Sequence, residues 1–183
     1  MKKIFYLFSL SAFAACNSGS DTKTESTSSK DSSATDAVSY AYSADYSSKF
    51  EIGDPKNVHT VFALYKDWED NKLDNSKDKF ADSVTMVSSS GEIMTGKWDS
   101  INAAMKPYRN SLGTVTTQVH AVVPLRSTDK NEDWVLVWFK EYRTDAKGKK
   151  DSTEFQETWK LNKDGKADLL YQYQQNNPPA KKK

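Results

Sequence analysis

Apolar and polar residues alternate in three consecutive segments near the C-terminal end of this chain. The segments are Trp134–Arg143, Thr153–Leu161 and Ala167–Gln174, and each mixes β-branched or aromatic residues with polar ones. The connections between them, residues 145–150 and 162–166, each contain a glycine beside turn-forming residues. The pattern predicts three antiparallel strands whose apolar face needs a covering layer.

Apolar residues recur at helical spacing in two segments that precede these strands. The first helix is predicted to start at Asp54 and Pro55, because aspartate can cap free N–H groups and proline suits the first helical position. It is predicted to end near Asn71–Leu73. The second helix is predicted over Lys97–Leu112, and Pro107 is expected to kink or shorten it. The apolar stripes comprise Val58, Val61, Phe62, Tyr65 and Trp68 in the first helix, and Trp98, Ile101, Met105 and Tyr108 in the second.

Shorter elements and one more long strand complete the predicted domain. A helical turn over Ser76–Phe80 precedes a hairpin of two strands, Ser83–Ser88 and Glu92–Thr95. Gly113 ends the second helix and is followed by the long strand Thr114–Leu125. A helix, a hairpin, a second helix and four long strands do not alternate as βαβ units do. The sequence therefore predicts an α+β domain with an antiparallel sheet.

Three segments in this order resemble the NTF2-like (SnoaL-like) superfamily. Phe80–Val84 is similar to the start of that superfamily's first strand, Thr95–Ile101 to its glycine-then-helix junction, and Glu157–Lys166 to its closing hairpin. The resemblance covers residues 54–176 and implies a cone, in which a curved antiparallel sheet wraps around N-terminal helices. It also implies a pocket at the open end of the cone. The superfamily contains enzymes and binding modules, so the resemblance does not identify a function.

The N-terminal residues have the pattern of an export signal. Two lysines precede an apolar run, Ile4–Ala15, that is too short to span a bilayer. The segment Phe13–Cys16 resembles the cleavage site of a bacterial lipoprotein, with phenylalanine where leucine is usual. We expect a signal peptide over residues 1–15 and a mature protein held by acylated Cys16 in the bacterial cell envelope, at the outer membrane rather than the inner. The alternative is an ordinary signal peptide followed by a free thiol.

The composition changes after the cysteine. Almost half of residues 17–48 are serine or threonine and few are large and apolar, so residues 16–48 are predicted to form a flexible tether. The folded NTF2-like domain is predicted over residues 49–177, and residues 178–183 form a basic tail. An alternative for the tether is that its tyrosines dock on the domain or on a partner. These tyrosines are Tyr40, Tyr42 and Tyr46.

The balance of charges and the scarcity of ligand-type residues exclude several classes of function. The chain has 26 Lys and Arg against 25 Asp and Glu, and a net charge of +1 does not indicate a nucleic-acid-binding protein. Two histidines far apart and a single cysteine do not form a metal-ligand pattern. Neither a metal nor another cofactor is expected.

Alternation along the closing hairpin predicts which side chains face the inside of the cone. The more apolar face of each strand is expected to point inward. A pairing of Trp159 with Leu169 would place Glu157 opposite Tyr171. The predicted inward sets are Phe155, Glu157, Trp159 and Leu161 on one strand, and Ala167, Leu169, Tyr171 and Tyr173 on the next.

Glu157 and His120 are the candidate catalytic residues. A glutamate among aromatic side chains can have a raised pKa and act as an acid or a base, and histidine is the usual base near neutral pH. In the structural alternatives, Glu157 pairs with a lysine, a tyrosine hydroxyl or water, and His120 is a hydrogen-bonded or exposed strand residue. Ketosteroid-isomerase-like members have an aspartate base at positions comparable to Ser88 and Ser89, which argues against isomerase chemistry.

Aromatic residues on the predicted strands are candidates for binding a ligand, and a core or a dimer face is the alternative. Residues 134–139 are apolar on both faces, so a partner is expected to cover the outer face of the sheet. NTF2-like proteins often dimerise through that face, and a homodimer is expected. The candidate ligand-binding residues are Trp138, Tyr142, Trp159, Tyr171 and Tyr173.

The sequence favours a lipid-anchored, non-catalytic NTF2-like module that binds a small apolar ligand or a protein partner. The alternative is a SnoaL-like or ketosteroid-isomerase-like enzyme, namely an isomerase, dehydratase or cyclase, with Glu157 or His120 as its proton carrier. A third interpretation is a dimeric interaction protein whose cone is filled. A shared cavity for Glu157 and His120 would favour the enzyme, and the volume of the cavity tests the third interpretation.

Overall fold

The computed structural model describes residues 41–175 of the 183-residue chain. The predicted signal peptide, Cys16, most of the tether and the basic tail at 178–183 lie outside the described residues. Residues 41–175 form seven strands, two α-helices and one 3₁₀ helix. Across this part of the chain, none of the helices combines the length and the apolar character that a membrane span requires.

The elements follow one another in the predicted order, with one additional strand at the start. Helix α1 spans Lys56–Glu69, helix α2 spans Trp98–Ser111, and the 3₁₀ helix spans Leu73–Lys79. The additional strand β1 was not predicted, because three residues are too few to show an alternating pattern. The strands are β1 (Phe50–Ile52), β2 (Phe80–Val87), β3 (Ile93–Gly96), β4 (Thr114–Ser127), β5 (Glu132–Thr144), β6 (Lys150–Leu161) and β7 (Ala167–Gln174).

The seven strands form one sheet in the order β1-β4-β5-β6-β7-β2-β3. All neighbouring strands are antiparallel except β2 and β7, which run parallel. The predicted antiparallel arrangement therefore holds for every neighbouring pair of strands except this one. β2 and β7 belong to different hairpins, so no tight turn forces them to run in opposite directions.

Hydrogen bonds to side chains define both ends of α1. The Asp54 carboxylate accepts a bond from the backbone N–H of Lys56 at 2.8 Å, as expected of a capping residue. At the other end, the guanidinium of Arg109 donates to the carbonyl groups of Trp68 and Glu69. The bond to Glu69 satisfies a carbonyl that has no partner within the helix, and the Trp68 carbonyl also accepts from the backbone N–H of Asn71 at 3.1 Å. Arg109 lies in α2, so the same contacts fasten the two helices together.

Helix α2 continues through Pro107 to Ser111, so the proline does not shorten the helix. An interior proline removes one backbone hydrogen bond. The tertiary structure compensates, because Trp98 and Ile101 in the same helix are buried in the core. Gly113 follows the helix with a φ angle of +67°, which glycine adopts without strain. This observation confirms the predicted end of the helix.

The hydrophobic core lies between one face of the sheet, called the inner face, and the two helices. Phe80 and Trp98 stack in it, with their ring centroids 4.1 Å apart. The inward positions predicted on β6 are confirmed, because all four are buried. The sheet contributes Val84, Met86, Val135, Val137, Phe139, Phe155, Trp159, Leu161, Ala167 and Leu170 to this core.

The register between β6 and β7 differs from the prediction. A bulge at Asp168 shifts the pairing by one residue, so Trp159 pairs with Leu170, and Glu157 pairs with Gln172. An extra residue in a strand reverses the face on which every later side chain lies. The predicted inward positions of three β7 residues are therefore wrong, although Ala167 before the bulge is buried. After the bulge, Leu170, Gln172 and Gln174 face inward, and Leu169, Tyr171 and Tyr173 face outward.

Candidate functional site

A cavity of about 470 Å³ opens between the inner face of the sheet and the two helices. Ligand pockets in proteins commonly measure about 300–1,000 Å³. Most of the lining is apolar and includes eight aromatic and three methionine side chains. The cone is therefore not filled by its own side chains, and the cavity is large enough for a small organic ligand.

Glu157 is the carboxylate in the wall of this cavity, and its side chain is buried with 4% exposure. Its Oε2 atom accepts hydrogen bonds from the Tyr65 hydroxyl at 2.7 Å and from the Trp159 indole N–H at 2.9 Å. Its Oε1 atom accepts a bond from the Gln172 amide at 2.8 Å. The carboxylate thus has three hydrogen-bond donors. One of them is a tyrosine hydroxyl, which is one of the partners expected for Glu157 from the sequence.

Burial changes the acid–base properties of this group. Loss of water raises the pKa of Glu157 above its ordinary value, and the bonds from Gln172, Tyr65 and Trp159 oppose that rise. Burial, followed by the nearby Glu157 charge, raises the pKa of Tyr65 well above its ordinary value. The pair therefore contains a carboxyl group that holds its proton to higher pH than usual and a hydroxyl that is difficult to deprotonate.

A second buried carboxylate lines the cavity, and its charge is balanced by an ion pair with an arginine. Glu141 accepts a hydrogen bond from the Trp68 indole N–H at 2.7 Å and pairs with the Arg143 guanidinium at 2.5 Å. Arg143 also lies over the Phe155 ring. This ion pair gives one part of the cavity a polar but internally balanced surface. Within residues 41–175, no three His, Cys, Asp or Glu side chains are grouped as a metal site requires.

Three serines from the connection between β2 and β3 also line the cavity. The hydroxyl groups of Ser88 and Ser90 are 2.8 Å apart, and the Ser89 hydroxyl donates to Gln174 at 3.3 Å. Ser88 and Ser89 are the residues at which the resemblance described above would place the aspartate base of ketosteroid-isomerase-like proteins. The buried carboxylate of this cavity that has no ion-pair partner among the described residues comes from Glu157 on β6 instead.

His120 lies outside the cavity, on the outer face of the sheet. Its Nε2 atom is 2.9 Å from Oε2 of Glu154, and Glu154 also pairs with Lys140 at 3.1 Å. The hydrogen bonds from His120 and Lys140 hold the pKa of Glu154 below its ordinary value. The structure therefore separates His120 from Glu157, and His120 has the hydrogen-bonded strand position that was its structural alternative.

Of the five aromatic residues predicted to bind a ligand, Trp159 lines the cavity and the other four lie on the outer face. Trp138 and Tyr142 alternate with inward-facing residues of β5 and are 39% and 41% exposed. Tyr171 and Tyr173 follow the bulge in β7, and Tyr173 is 57% exposed. Their predicted ligand-binding role therefore does not apply to this cavity.

One tyrosine of the tether contacts the outer face. The Tyr46 hydroxyl is 2.9 Å from the Tyr171 hydroxyl, and the Tyr46 ring centroid is 5.8 Å from that of Trp134. Tyr42 is exposed, and Tyr40 lies outside the described residues. Docking on the domain, the alternative considered for the tether, is thus observed for Tyr46.

Sequence reasoning missed four residues of the site. Glu141 and Arg143 continue the inward alternation of Phe139, so the pattern along β5 contained the signal that identifies them. Periodicity identifies Tyr65 only as part of an apolar helical stripe, because it does not show where a hydroxyl group finds its partner. Unbroken alternation in β7 turns Tyr171 and Tyr173 inward and so leaves Gln172 between them on the outer face, because the bulge has no clear mark in the sequence.

Comparison with solved structures identifies the fold. The domain is similar to an NTF2-like protein of unknown function from Exiguobacterium sp. 255-15, with a TM-score of 0.53 and 16% identity, over 64% of this chain and 99% of that chain. It is similar to AusH from Aspergillus nidulans, with a TM-score of 0.56 and 12% identity, over 70% of this chain and 89% of that chain. A third similar structure is the epoxide hydrolase/cyclase-like enzyme SalBIII, which has a role in pyran ring formation in the polyether salinomycin. It matches with a TM-score of 0.52 and 17% identity, over 66% of this chain and 91% of that chain.

These similarities confirm the fold expected from the sequence. The domain has the NTF2-like fold, with a curved, open, seven-stranded sheet and helices on its inner face. No protein-family model and no curated protein matches this chain. At these identities the structural similarity shows the fold alone, and this fold is shared by proteins of unknown function and by cyclase-like enzymes.

Proposed function

We propose that this protein is a non-catalytic binding module whose cavity takes a small, largely apolar ligand. The observation that carries the proposal is the cavity of about 470 Å³, with aromatic and methionine walls and a few convergent polar groups. Such a combination is typical of small-molecule sites, where apolar contact supplies affinity and a few polar groups set orientation. The cavity itself favours a small ligand over a protein partner.

The arrangement around Glu157 supports binding rather than catalysis. Among residues 41–175, the side chains that hydrogen-bond to it are Tyr65, Trp159 and Gln172. None of these side chains has an ordinary pKa near neutral pH. His120, the other candidate proton carrier, lies on the opposite face of the sheet. In the described part of the chain, the titratable groups nearest this carboxylate are Tyr65, whose hydroxyl is difficult to deprotonate because burial raises its pKa, and Glu141, which is paired with Arg143.

We test this proposal by recovering the natural ligand from the full chain. Ala104 lines the cavity and is exposed, so Ala104→Trp is expected to fill the opening without disturbing the core. Ala103 is also exposed but does not line the cavity, which makes Ala103→Trp the matched control. Mass spectrometry of native preparations should find a small molecule with the wild type and with Ala103→Trp, but not with Ala104→Trp. Equal recovery from the two variants, or none from the wild type, would contradict the proposal.

The second candidate function is a SnoaL-like enzyme with Glu157 as its proton carrier. The observation that favours it is a carboxyl group with a raised pKa in a cavity of the right size. Under this alternative, Glu157→Gln still binds the molecule but cannot convert it. The molecule recovered from Glu157→Gln would then differ in mass or isomeric form from that recovered from the wild type. Identical molecules support the binding module.

We also propose that the module is held at the bacterial cell envelope by acylation of Cys16, with the segment at 17–48 as its tether. The support is the order of two lysines, a short apolar run and small residues before the single cysteine. Cys16→Ser is expected to move the protein from the membrane fraction to the soluble fraction after cell lysis. Unchanged fractionation would remove the anchor from the proposal.

A further inference from the structure

The buried carboxylate of Glu157 has hydrogen-bond donors but no counter-ion. Its three partners are uncharged groups of Tyr65, Trp159 and Gln172. Among the described residues, no lysine, arginine or histidine nitrogen forms an ion pair with it. A buried charge without an opposite charge is unfavourable, because neutral donors replace only part of the lost hydration.

The geometry of the donors favours the ionised carboxylate. The indole N–H of Trp159 can only donate, and it addresses Oε2, while the Gln172 amide donates to Oε1 in the observed orientation. A proton on Oε2 would compete with the Trp159 donor, and a proton on Oε1 would require the Gln172 amide to turn. The surroundings thus hold a negative charge in place without neutralising it.

The only guanidinium in the described lining of the cavity is already paired. Arg143 forms its ion pair with Glu141, and Glu141 also accepts a bond from Trp68. The formal charges in the lining are three carboxylates, Glu92, Glu141 and Glu157, against this single arginine. The cavity is therefore negative overall, which opposes anionic ligands and favours cationic ones.

Two aromatic side chains, Tyr65 and Trp159, contact the same carboxylate, and further rings pack beside them. The Tyr65 ring centroid lies 4.9 Å from that of Phe139 and 6.3 Å from that of Trp159. The Phe139 ring in turn packs at 5.4 Å from Phe155. The faces of aromatic rings carry partial negative charge and attract organic cations, and cages of several rings recognise quaternary ammonium groups.

We propose that the ligand of this cavity is an organic cation, whose ammonium group lies against Glu157 and whose apolar body packs on the aromatic and methionine walls. The inference rests on the proposed function, since it assigns a chemical class to the ligand of the same cavity. The ammonium group supplies the counter-ion that the protein does not, and the remaining lone pair on Oε1 can accept its hydrogen bond if it carries one.

The test compares two probes of nearly the same shape, phenyltrimethylammonium and its uncharged carbon analogue tert-butylbenzene. Both are titrated by calorimetry into the full chain and into two variants, Glu157→Gln and Glu154→Gln. We expect the wild type to bind the cation about tenfold or more tightly than the neutral analogue. Glu157→Gln keeps the shape and removes the charge, so the preference should disappear. Glu154 lies on the outer face, so Glu154→Gln should keep the preference.

The possible failures are distinguishable. Equal affinity of the wild type for the two probes overturns the cation proposal but leaves an apolar binding cavity. Binding of neither probe overturns both the cation proposal and the proposed function. A preference that Glu157→Gln retains would show that the cation binds elsewhere, which also overturns the proposal. If Glu157→Gln fails to fold, the ratio measured for the wild type still decides whether the protein prefers the cation to the neutral analogue.

Discussion

Single side chains determine the polarity of the cavity, and Glu157 is the most informative of them. Its neighbours on β6, Phe155 and Trp159, are apolar core residues, yet Glu157 occupies an equivalent buried position between them. Burying a carboxylate there is unfavourable unless hydrogen bonds compensate. The three donors show that this position is built for a polar group, so its removal and its neutralisation should have different effects on stability.

Glu157→Gln and Glu157→Leu separate these two effects. The side-chain oxygen of the introduced glutamine can accept the bonds from Tyr65 and Trp159. Its N–H group can donate to the Gln172 oxygen once the Gln172 amide turns. We expect Glu157→Gln to unfold with a free energy within about 1 kcal/mol of the wild type. Leucine leaves the donors without acceptors, so Glu157→Leu is expected to cost about 3 kcal/mol or more. Urea denaturation measures both, and equal losses would show that the charge itself is required by the fold.

The pH dependence of stability reports the same carboxyl group. Because burial raises the pKa of Glu157 in the folded state, the folded protein binds this proton more tightly than the unfolded chain does. Its contribution to stability is complete below the ordinary pKa and is lost as pH rises through the raised folded pKa. We therefore expect the stability of Glu157→Gln relative to the wild type to increase above about pH 4.5 and then level off.

Chemical denaturation of the wild type and Glu157→Gln across this pH range gives that difference. Tyr65 and Glu141 are the titratable groups that act on Glu157, and both remain in the variant. Their contributions, and those of the surface ion pairs, largely cancel when the two proteins are compared. A difference that does not change with pH would mean that the folded environment leaves the carboxyl group unperturbed.

At the scale of elements, β6 carries the inward pattern and β7 shows how a bulge changes it. Alternation placed Trp159 correctly, because β6 continues without interruption from one end of the cone to the other. The same rule failed for Tyr171 and Tyr173, because the bulge at Asp168 changes the phase of β7. A pattern of period two is reliable only within one unbroken ladder.

Trp159→Ala tests the inward face of β6. Trp159 is 4% exposed, so its loss leaves a cavity in the core, and we expect a cost of about 3–5 kcal/mol in the free energy of unfolding. Tyr173 on the neighbouring strand is a matched aromatic control, because 57% of it is already exposed. Tyr173→Ala should cost less than about 1 kcal/mol. Thermal or urea unfolding measures both, and similar costs would contradict the assignment of the two faces.

The turn after α2 depends on a glycine for a second reason besides its φ angle. An alanine Cβ at Gly113 would lie 2.2 Å from the carbonyl oxygen of Thr144, which is part of the backbone of β5. Gly148 also has a positive φ, of +80°, but no atom lies within 4 Å of a Cβ placed there. We expect Gly148→Ala to cost about 1 kcal/mol and Gly113→Ala at least about 2 kcal/mol more, as measured by urea denaturation. Equal costs would show that the approach of β5 to this turn is not rigid.

At the scale of the whole molecule, the outer face of the sheet is a candidate interaction surface. Tyr46 covers Trp134 at one part of it, while Trp138, Tyr142 and Tyr173 stay exposed. Exposed aromatic side chains on one sheet face are typical of an interaction surface. We propose that two copies of the chain pair through this face, as expected from the two apolar faces of β5.

Trp138→Glu tests the pairing. A glutamate in place of Trp138 would bring a charge into the interface and lose part of its hydration there, so the variant should be monomeric at concentrations where the wild type is a dimer. Sedimentation velocity of the full chain measures the two states. Glu51→Gln, an exposed change on the edge strand β1, is the control and should leave the dimer unchanged. A monomeric wild type would remove the homodimer from the proposals.

The sequence by itself determined the features that depend on near neighbours along the chain. Helical spacing placed most of the apolar stripe of α1, although Phe62 is exposed and Leu64 is buried instead. Asp54 and Gly113 marked helix ends, and alternation turned Glu157 and Trp159 inward. These signals are local, because caps, turns and alternating faces each involve residues a few positions apart. The order of the elements then limited the domain to one fold class, which the structure confirms.

Only the tertiary structure decided which distant residues share a surface. It brought Glu157 within hydrogen-bond distance of Tyr65 and Gln172 and separated it from His120. It also packed Tyr46 against the outer face of the sheet. These contacts join residues 15 to 125 positions apart, and their partners depend on the bulge in β7, the parallel pairing of β2 with β7 and the packing of α1 on the sheet. No local pattern encodes such choices, because each depends on how whole elements pack against one another.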